Sequence, residues 1–178
     1  MHAMLDIETL GTDPNAPVLS AAIVFFDPET ETVHESKMFL FSPNDQPDRP
    51  ISFDTMKWWM DQTKEAAAHW KNATPGPIRA ELEAFRQFAN KYNVKVWWAN
   101  SPAFDEVIMS SLFKDFGIQA PWKFWTWRDV RTVKNFLRDR SPPKNTNAHD
   151  PTADCLAQIE LVFRFYSEQA MIELLQEG

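Results

Sequence analysis

Apolar residues fall in short continuous runs near the start of the chain and at helical spacing further on. Met1 to Ile7 is apolar on average and breaks at Thr9-Leu10-Gly11-Thr12-Asp13-Pro14, which predicts a strand running into a loop. Val18 to Phe26 is a second strand-like run, closed by Asp27-Pro28-Glu29-Thr30, and Thr32 to Phe41 follows with partial alternation. Three strands joined by turns predict an antiparallel meander. After a Pro-containing loop from Ser42 to Pro50, Ser52 can cap a helix that carries Met56, Trp59 and Met60 at helical spacing. Pro77 opens a helix to about Tyr92 in which Ile78, Leu82, Phe85, Phe88 and Ala89 share one apolar face. Val94 to Ala99 reads as a buried strand, Ser101-Pro102 as a helix start, Lys123 to Trp127 as a short strand and Asp129 to about Leu137 as a helix. A polar loop from Asp139 to Ala148 leads to a last long helix from Pro151. The order βββ-α-α-β-α-β-α-α implies an α/β fold: a mixed central sheet, three antiparallel strands followed by parallel ones, flanked by helices. No repeat or linker divides residues 1–178, so one domain is expected.

Composition narrows the function classes. A chain of 178 residues, 44% hydrophobic, is long enough for a substantial core. A net charge of -7 argues against a general nucleic-acid coat or a polybasic membrane anchor, and leaves a local basic groove open. The four glycines, Gly11, Gly76, Gly117 and Gly178, are too scattered for a Walker loop or a dinucleotide fingerprint, so phosphate has to be handled by other means. The single Cys155 forbids an intramolecular disulfide and a Cys-pair zinc site, which suits a reducing, cytoplasmic location. No window approaches the roughly twenty apolar residues of a membrane span, and no signal-peptide pattern opens the chain. A soluble, unexported protein without a membrane partner is expected.

Asp6 and Glu8 stand two residues apart at the end of the first strand, where period-two geometry points both carboxylates to one face. Asp27/Glu29, Glu29/Glu31 and Glu81/Glu83 share that spacing and read better as turn or surface charges. The first pair differs because it ends an apolar, central strand at the sheet's carboxyl edge, where open α/β sheets place ligands. Two further aspartates share a local grammar: Ser101-Pro102-Ala103-Phe104-Asp105 and Asp150-Pro151-Thr152-Ala153-Asp154. In each, a capping residue precedes Pro at the first helical position and the aspartate follows about one turn in, where the helix dipole favours the anion. An acid near a helix start is common, and either one alone would read so. Four converging carboxylates, however, repel one another unless cations lie between them. Oxygen donors of this kind suit Mg²⁺ or Mn²⁺ rather than zinc, and two such ions about 3.5–4 Å apart can serve phosphodiester hydrolysis. His149, five residues before Asp154, can serve as general base for the attacking water rather than as a surface loop histidine.

Asp6-Ile7-Glu8-Thr9-Leu10-Gly11-Thr12, Asn100-Ser-Pro-Ala-Phe104-Asp105 and His149-Asp-Pro-Thr-Ala-Asp154 resemble, in order and separation, the three motifs of the DEDDh 3′-5′ exonucleases of the DnaQ-like, ribonuclease H-like superfamily. Trp97-Trp98-Ala99-Asn100 and Trp127-Arg128-Asp129-Val130-Arg131-Thr132 are similar to the branch containing phage exonuclease A and bacterial exoribonucleases. The resemblance implies a ribonuclease H-like fold. It implies Asp6, Glu8, Asp105 and Asp154 as ligands of two divalent ions, Mg²⁺ or Mn²⁺, and His149 as the base. It also implies release of nucleoside 5′-monophosphates from the 3′ end of single-stranded RNA or DNA, RNA slightly preferred. Thr9, Leu10 and Gly11 would approach the terminal nucleotide, and a homodimer is expected on the same ground alone. Asn100 stands five rather than four residues before Asp105, and Pro151 replaces the usual small residue; both fit helix starts.

Six basic residues between Arg128 and Lys144, against two acidic ones, form the candidate phosphate-tracking segment, with an ordinary solvated helix face as the alternative. Arg128 is taken as a substrate contact. Trp58, Trp59, Phe104 and Trp125 are assigned to the core in preference to stacking on bases. The competing functions are a non-catalytic nucleic-acid-binding module of the same fold and a phosphodiesterase of very short oligonucleotides. The first would be expected to have lost one of the five site residues.

Overall fold

The computed structural model describes residues 1–64, 68–145 and 147–177. Five strands form one sheet in the order β3-β2-β1-β4-β5: β1 (His2–Thr9), β2 (Val18–Asp27), β3 (Thr32–Leu40), β4 (Val96–Ala99) and β5 (Trp127–Asp129). The first three pair antiparallel, while β4 and β5 add parallel to β1, which makes the expected mixed sheet. Helices α1 (Phe53–Asp61), α2 (Ala68–Lys71), α3 (Ile78–Ala89), α4 (Pro102–Asp115), α5 (Val130–Phe136) and α6 (Pro151–Glu177) complete the chain. None of the helices among the described residues is long and apolar enough to cross a membrane.

Alternation along β1 divides the core. Ala3, Leu5 and Ile7 face α3 and α4, packing with Leu82, Phe85, Ile108 and Leu112. Met4 faces the opposite way, against Val133, Cys155, Ile159 and Val162 of α5 and α6. The strand's period of two therefore turns Asp6 and Glu8, like Met4, toward α6. β2 is buried at nine of its ten positions, being covered on both faces, and β3 is a largely exposed edge.

Two expectations change, for residues 123–127 and for the exposed tryptophans. The strand expected over 123–127 is displaced: Phe124–Thr126 is a 3-10 turn, closed by the Thr126 N–H and hydroxyl on the Lys123 carbonyl, and pairing begins at Trp127. Aromatic residues carry strand propensity, but without a partner at this edge the propensity is not realised. Of the apolar residues on α1 only Trp59 is buried, and Met60 is 74% exposed. Trp58 and Trp125 are exposed as well, so their assignment to the core is corrected; Trp59 is buried and Phe104 packs against the core as expected. The Asp139–Ala148 loop includes Thr146, which lies outside the described residues.

The loop after β3 is held by Arg49. Its buried guanidinium donates to Asp115 Oδ2 (2.9 Å), the Ala16 carbonyl (2.6 Å) and Ser111 Oγ (3.0 Å), tying the loop to α4. Arg49→Ala leaves these acceptors without their donor, and a loss of about 2–4 kcal/mol is expected. Urea unfolding checks this, and an unchanged midpoint would contradict it.

Candidate active site

β1 runs on past its parallel neighbour: the last pairing is Met4 with Trp98, so the carboxyl end of β1 opens a notch at the sheet edge. Asp105, near the start of α4, reaches into this notch and accepts the Ile7 N–H at Oδ1 (3.2 Å). On the other side α6 opens with Asp150 as its cap, whose Oδ1 accepts the N–H groups of Thr152 and Ala153 (both 3.0 Å). The Ser101 cap of α4 is different, since its side chain makes no capping bond. One turn into α6, Asp154 Oδ2 accepts the His149 N–H (3.0 Å) and Oδ1 accepts from Asn145 Nδ2. A turn further, Gln158 Nε2 donates to Asp6 Oδ1 (2.7 Å). Asp6, Glu8, Asp105, His149 and Asp154 thus line one cleft of about 390 Å³.

The electrostatics of this cleft are those of crowded anions. Glu8 and Asp105 are only 8% and 5% exposed. Burial, reinforced by the charges of Asp154, Asp105 and Asp150, pushes Glu8 up to about 9. Asp6 is raised by burial first and then by Asp105, Glu8 and Asp154, with the Gln158 bond acting against the shift. Asp105 is raised by burial, an effect opposed by its bond from Ile7 and by the nearby Arg131 charge. Asp154 is also raised by burial, and the His149 N–H opposes this. A hard dication would relieve all four shifts together, and carboxylate oxygens are the donors it prefers. Glu8, His149 and Asp154 offer ligand atoms that lie within 4.8 Å of one another, and Gln158 Oε1 is buried without a hydrogen-bond partner among the described residues.

His149 has a left-handed backbone (φ 68°) that turns the loop into α6. Its ring meets Trp58 edge-on, with centroids 4.7 Å apart, and Trp59 at 6.1 Å. Trp58 also walls a second pocket, with Glu8, Thr9, Gly11, Thr12 and Phe104, that adjoins the acid cleft across Glu8 and Phe104. The backbone here is fixed by Trp59 Nε1 on the Thr9 carbonyl (2.9 Å) and Ser52 N–H on the Leu10 carbonyl (2.8 Å). Packing accounts for Gly11, because a Cβ there would stand 3.1 Å from that of Ala16. Leu10 faces away from the acids, toward Leu19, Trp59 and Trp70.

Arg128 does not line the cleft. Its guanidinium donates to the carbonyls of Trp127 (2.8 Å) and Trp125 (3.3 Å), while Arg131 and Lys134 of α5 stand in the cleft wall. Sequence reasoning missed Asn145 and Gln158, and it held Arg131 and Lys134 only as two of the six cations of the Arg128–Lys144 segment, with Arg128 as the named contact. Only Gln158 carried a signal, its spacing of four from Asp154 placing it on the same helix face.

A mixed five-stranded sheet whose carboxyl edge gathers four acids and a histidine defines the ribonuclease H-like, DEDDh class of 3′-5′ exonuclease. The chain belongs to the Rv2179c-like family of 3′-5′ exoribonuclease domains, whose model matches residues 1–165. It is 28% identical over 207 aligned positions to an exodeoxyribonuclease of Enterobacteria phage T4, covering 94% of this chain and 89% of that one. Its fold is similar to that of E. coli exonuclease I in a zinc-bound complex with single-stranded DNA (TM-score 0.72, 17% identity, 95% of this chain). The chain spans 41% of that exonuclease's length. The nuclease domain of 3′hExo, a DEDDh family member bound to rAMP, matches with a TM-score of 0.62 and 12% identity, over 93% of this chain and 91% of that one.

Proposed function

We propose that residues 1–178 form one domain that hydrolyses single-stranded nucleic acid from its 3′ end and releases nucleoside 5′-monophosphates, RNA ahead of DNA. The convergence of Asp6, Glu8, Asp105, Asp154 and His149 on one cleft carries this reading. The family's exoribonuclease description favours RNA, whereas the phage relative is named for DNA.

Asp6, Glu8, Asp105 and Asp154 would hold two Mg²⁺ or Mn²⁺ ions. Bound there, the ions would supply Lewis-acid stabilisation of the charge that develops on the attacking and leaving oxygens. His149 accepts the proton of the attacking water. The imidazolium so formed stands beside the carboxylates of Glu8 and Asp154, which stabilise it. Trp58 limits the swing of the ring, and the pocket that Trp58 and Phe104 wall has the aromatic surface a terminal base needs.

Digestion of 3′-labelled and 5′-labelled RNA and DNA oligonucleotides with Mg²⁺, Mn²⁺ or EDTA tests the proposal. Metal-dependent appearance of labelled mononucleotide from the 3′ end first is expected, faster with RNA. Internal cuts, or cleavage that survives EDTA, would overturn it.

A further inference from the structure

The two pockets that meet at Glu8 and Phe104 differ in charge. Among the described residues that line the Trp58 pocket none is a cation, and the ionisable ones are Glu8 and Asp54. The acid cleft extends the other way to Arg131 and Lys134. A strand crossing the four acids must place a nucleoside on one side of the scissile phosphate and a further phosphodiester on the other. Phosphate is repelled by the first pocket and attracted by the far end of the second.

We infer that Arg131 and Lys134 bind the phosphate immediately 5′ of the scissile bond, the one belonging to the penultimate nucleotide, and so fix the direction in which the strand lies across the acids. The inference rests on the exonuclease reading above. Arg131 and Lys134, three residues apart, share one face of α5. The adjoining face is anchored: Val130 and Val133 are buried against Cys155, Ile159 and Val162 of α6. The start of α5 is capped by Asp129, which accepts the Arg131 N–H (3.0 Å) and the Thr132 hydroxyl (2.8 Å). The two cations are therefore presented from a fixed element. Among the described residues neither side chain is in an ion pair, whereas Arg49, Arg86, Lys91 and Arg164 are each matched by an acid. Arg128, on the preceding strand, spends its guanidinium on carbonyls, which leaves Arg131 and Lys134 as the cations lining the cleft.

A phosphate contact weakens with salt and does not distinguish the sugar. The test is the affinity of the full chain for 5′-fluorescein-labelled single-stranded RNA and DNA octamers, by anisotropy in Ca²⁺ across a salt series. The variants are Arg131→Gln/Lys134→Gln and, as a control that removes one charge on the far end of α4, Lys114→Gln. The double variant should bind both polymers about tenfold more weakly, with the slope of log affinity against log salt reduced by about 0.7 per charge removed. Arg131→Lys should keep most of the slope. A slope equal to that of the parent, an equal loss in Lys114→Gln, or a loss confined to RNA overturns the inference. Failure of the exonuclease reading shows separately, as absence of 3′ mononucleotide release by the parent in Mg²⁺.

Discussion

Asp105→Asn is expected to reduce Mg²⁺-dependent cleavage by about 10³-fold, the several kcal/mol that Lewis-acid stabilisation supplies, and at the same time to raise the melting temperature of the metal-free protein. The two effects have one cause. Asp105 is buried beside Asp6 and close to the other acids, so its charge opposes folding unless a cation neutralises it. Asparagine keeps an oxygen for the Ile7 N–H and removes the charge. A gain of about 1–3 kcal/mol in the metal-free state corresponds to roughly 3–9 °C for a domain of this size. Glu8 gives the pH dependence. In the unfolded chain it ionises near its ordinary 4.5, whereas burial and neighbouring charge hold it at about 9 in the fold. Between those values the folded state keeps a proton that the unfolded state has lost, so the stability present below pH 4.5 is lost as pH rises through about 9. In EDTA the melting temperature should fall from pH 5 to pH 9, and the rise produced by Mg²⁺ should grow over the same interval. Thermal scans with and without metal decide it: a variant less stable than its parent in EDTA, or a Mg²⁺ effect independent of pH, contradicts the repulsion argument.

The elements that position these acids were legible because each depends on local rules. Alternation along Ala3 to Glu8 fixes which side chains face α6, and Asp150-Pro151 fixes where α6 begins. Where the rules were tertiary, reading failed. The stretch from Lys123 to Trp127 has strand composition, but its neighbour β4 begins pairing only at Trp97 with Trp127, which displaces the strand and carries Arg128 away from the cleft. That Arg131 and Lys134 rather than Arg128 reach the acids follows from the phase of α5, which is set by burial of Val130 and Val133 against α6. The exposure of Trp58 beside a buried Trp59 likewise depends on which α1 residue reaches the Thr9 carbonyl. Composition cannot order adjacent tryptophans. The aromatic wall that Trp58 gives the pocket beside Thr9 and Gly11 was therefore outside its reach, while the five residues whose spacing is set within single elements were not.

His149→Asn should lower kcat by about 10²–10⁴-fold, the range that general-base assistance contributes, while leaving the Mg²⁺-induced rise in melting temperature in place. Asparagine is the informative replacement because position 149 has a φ of 68°, a left-handed conformation that Asn adopts more readily than Ala. The backbone bond from residue 149 to Asp154 Oδ2 then survives, and the acid is not released along with the imidazole. A loss of rate in this variant reports the ring itself. One further readout separates a base from a structural histidine: added imidazole should restore part of the rate, since the space between Trp58 and the carboxylates is vacated. Metal binding supplies the control, because the four carboxylates remain. A variant with kcat within tenfold of the parent at every pH removes His149 from the chemistry, whereas lost Mg²⁺ stabilisation reassigns it from base to ligand.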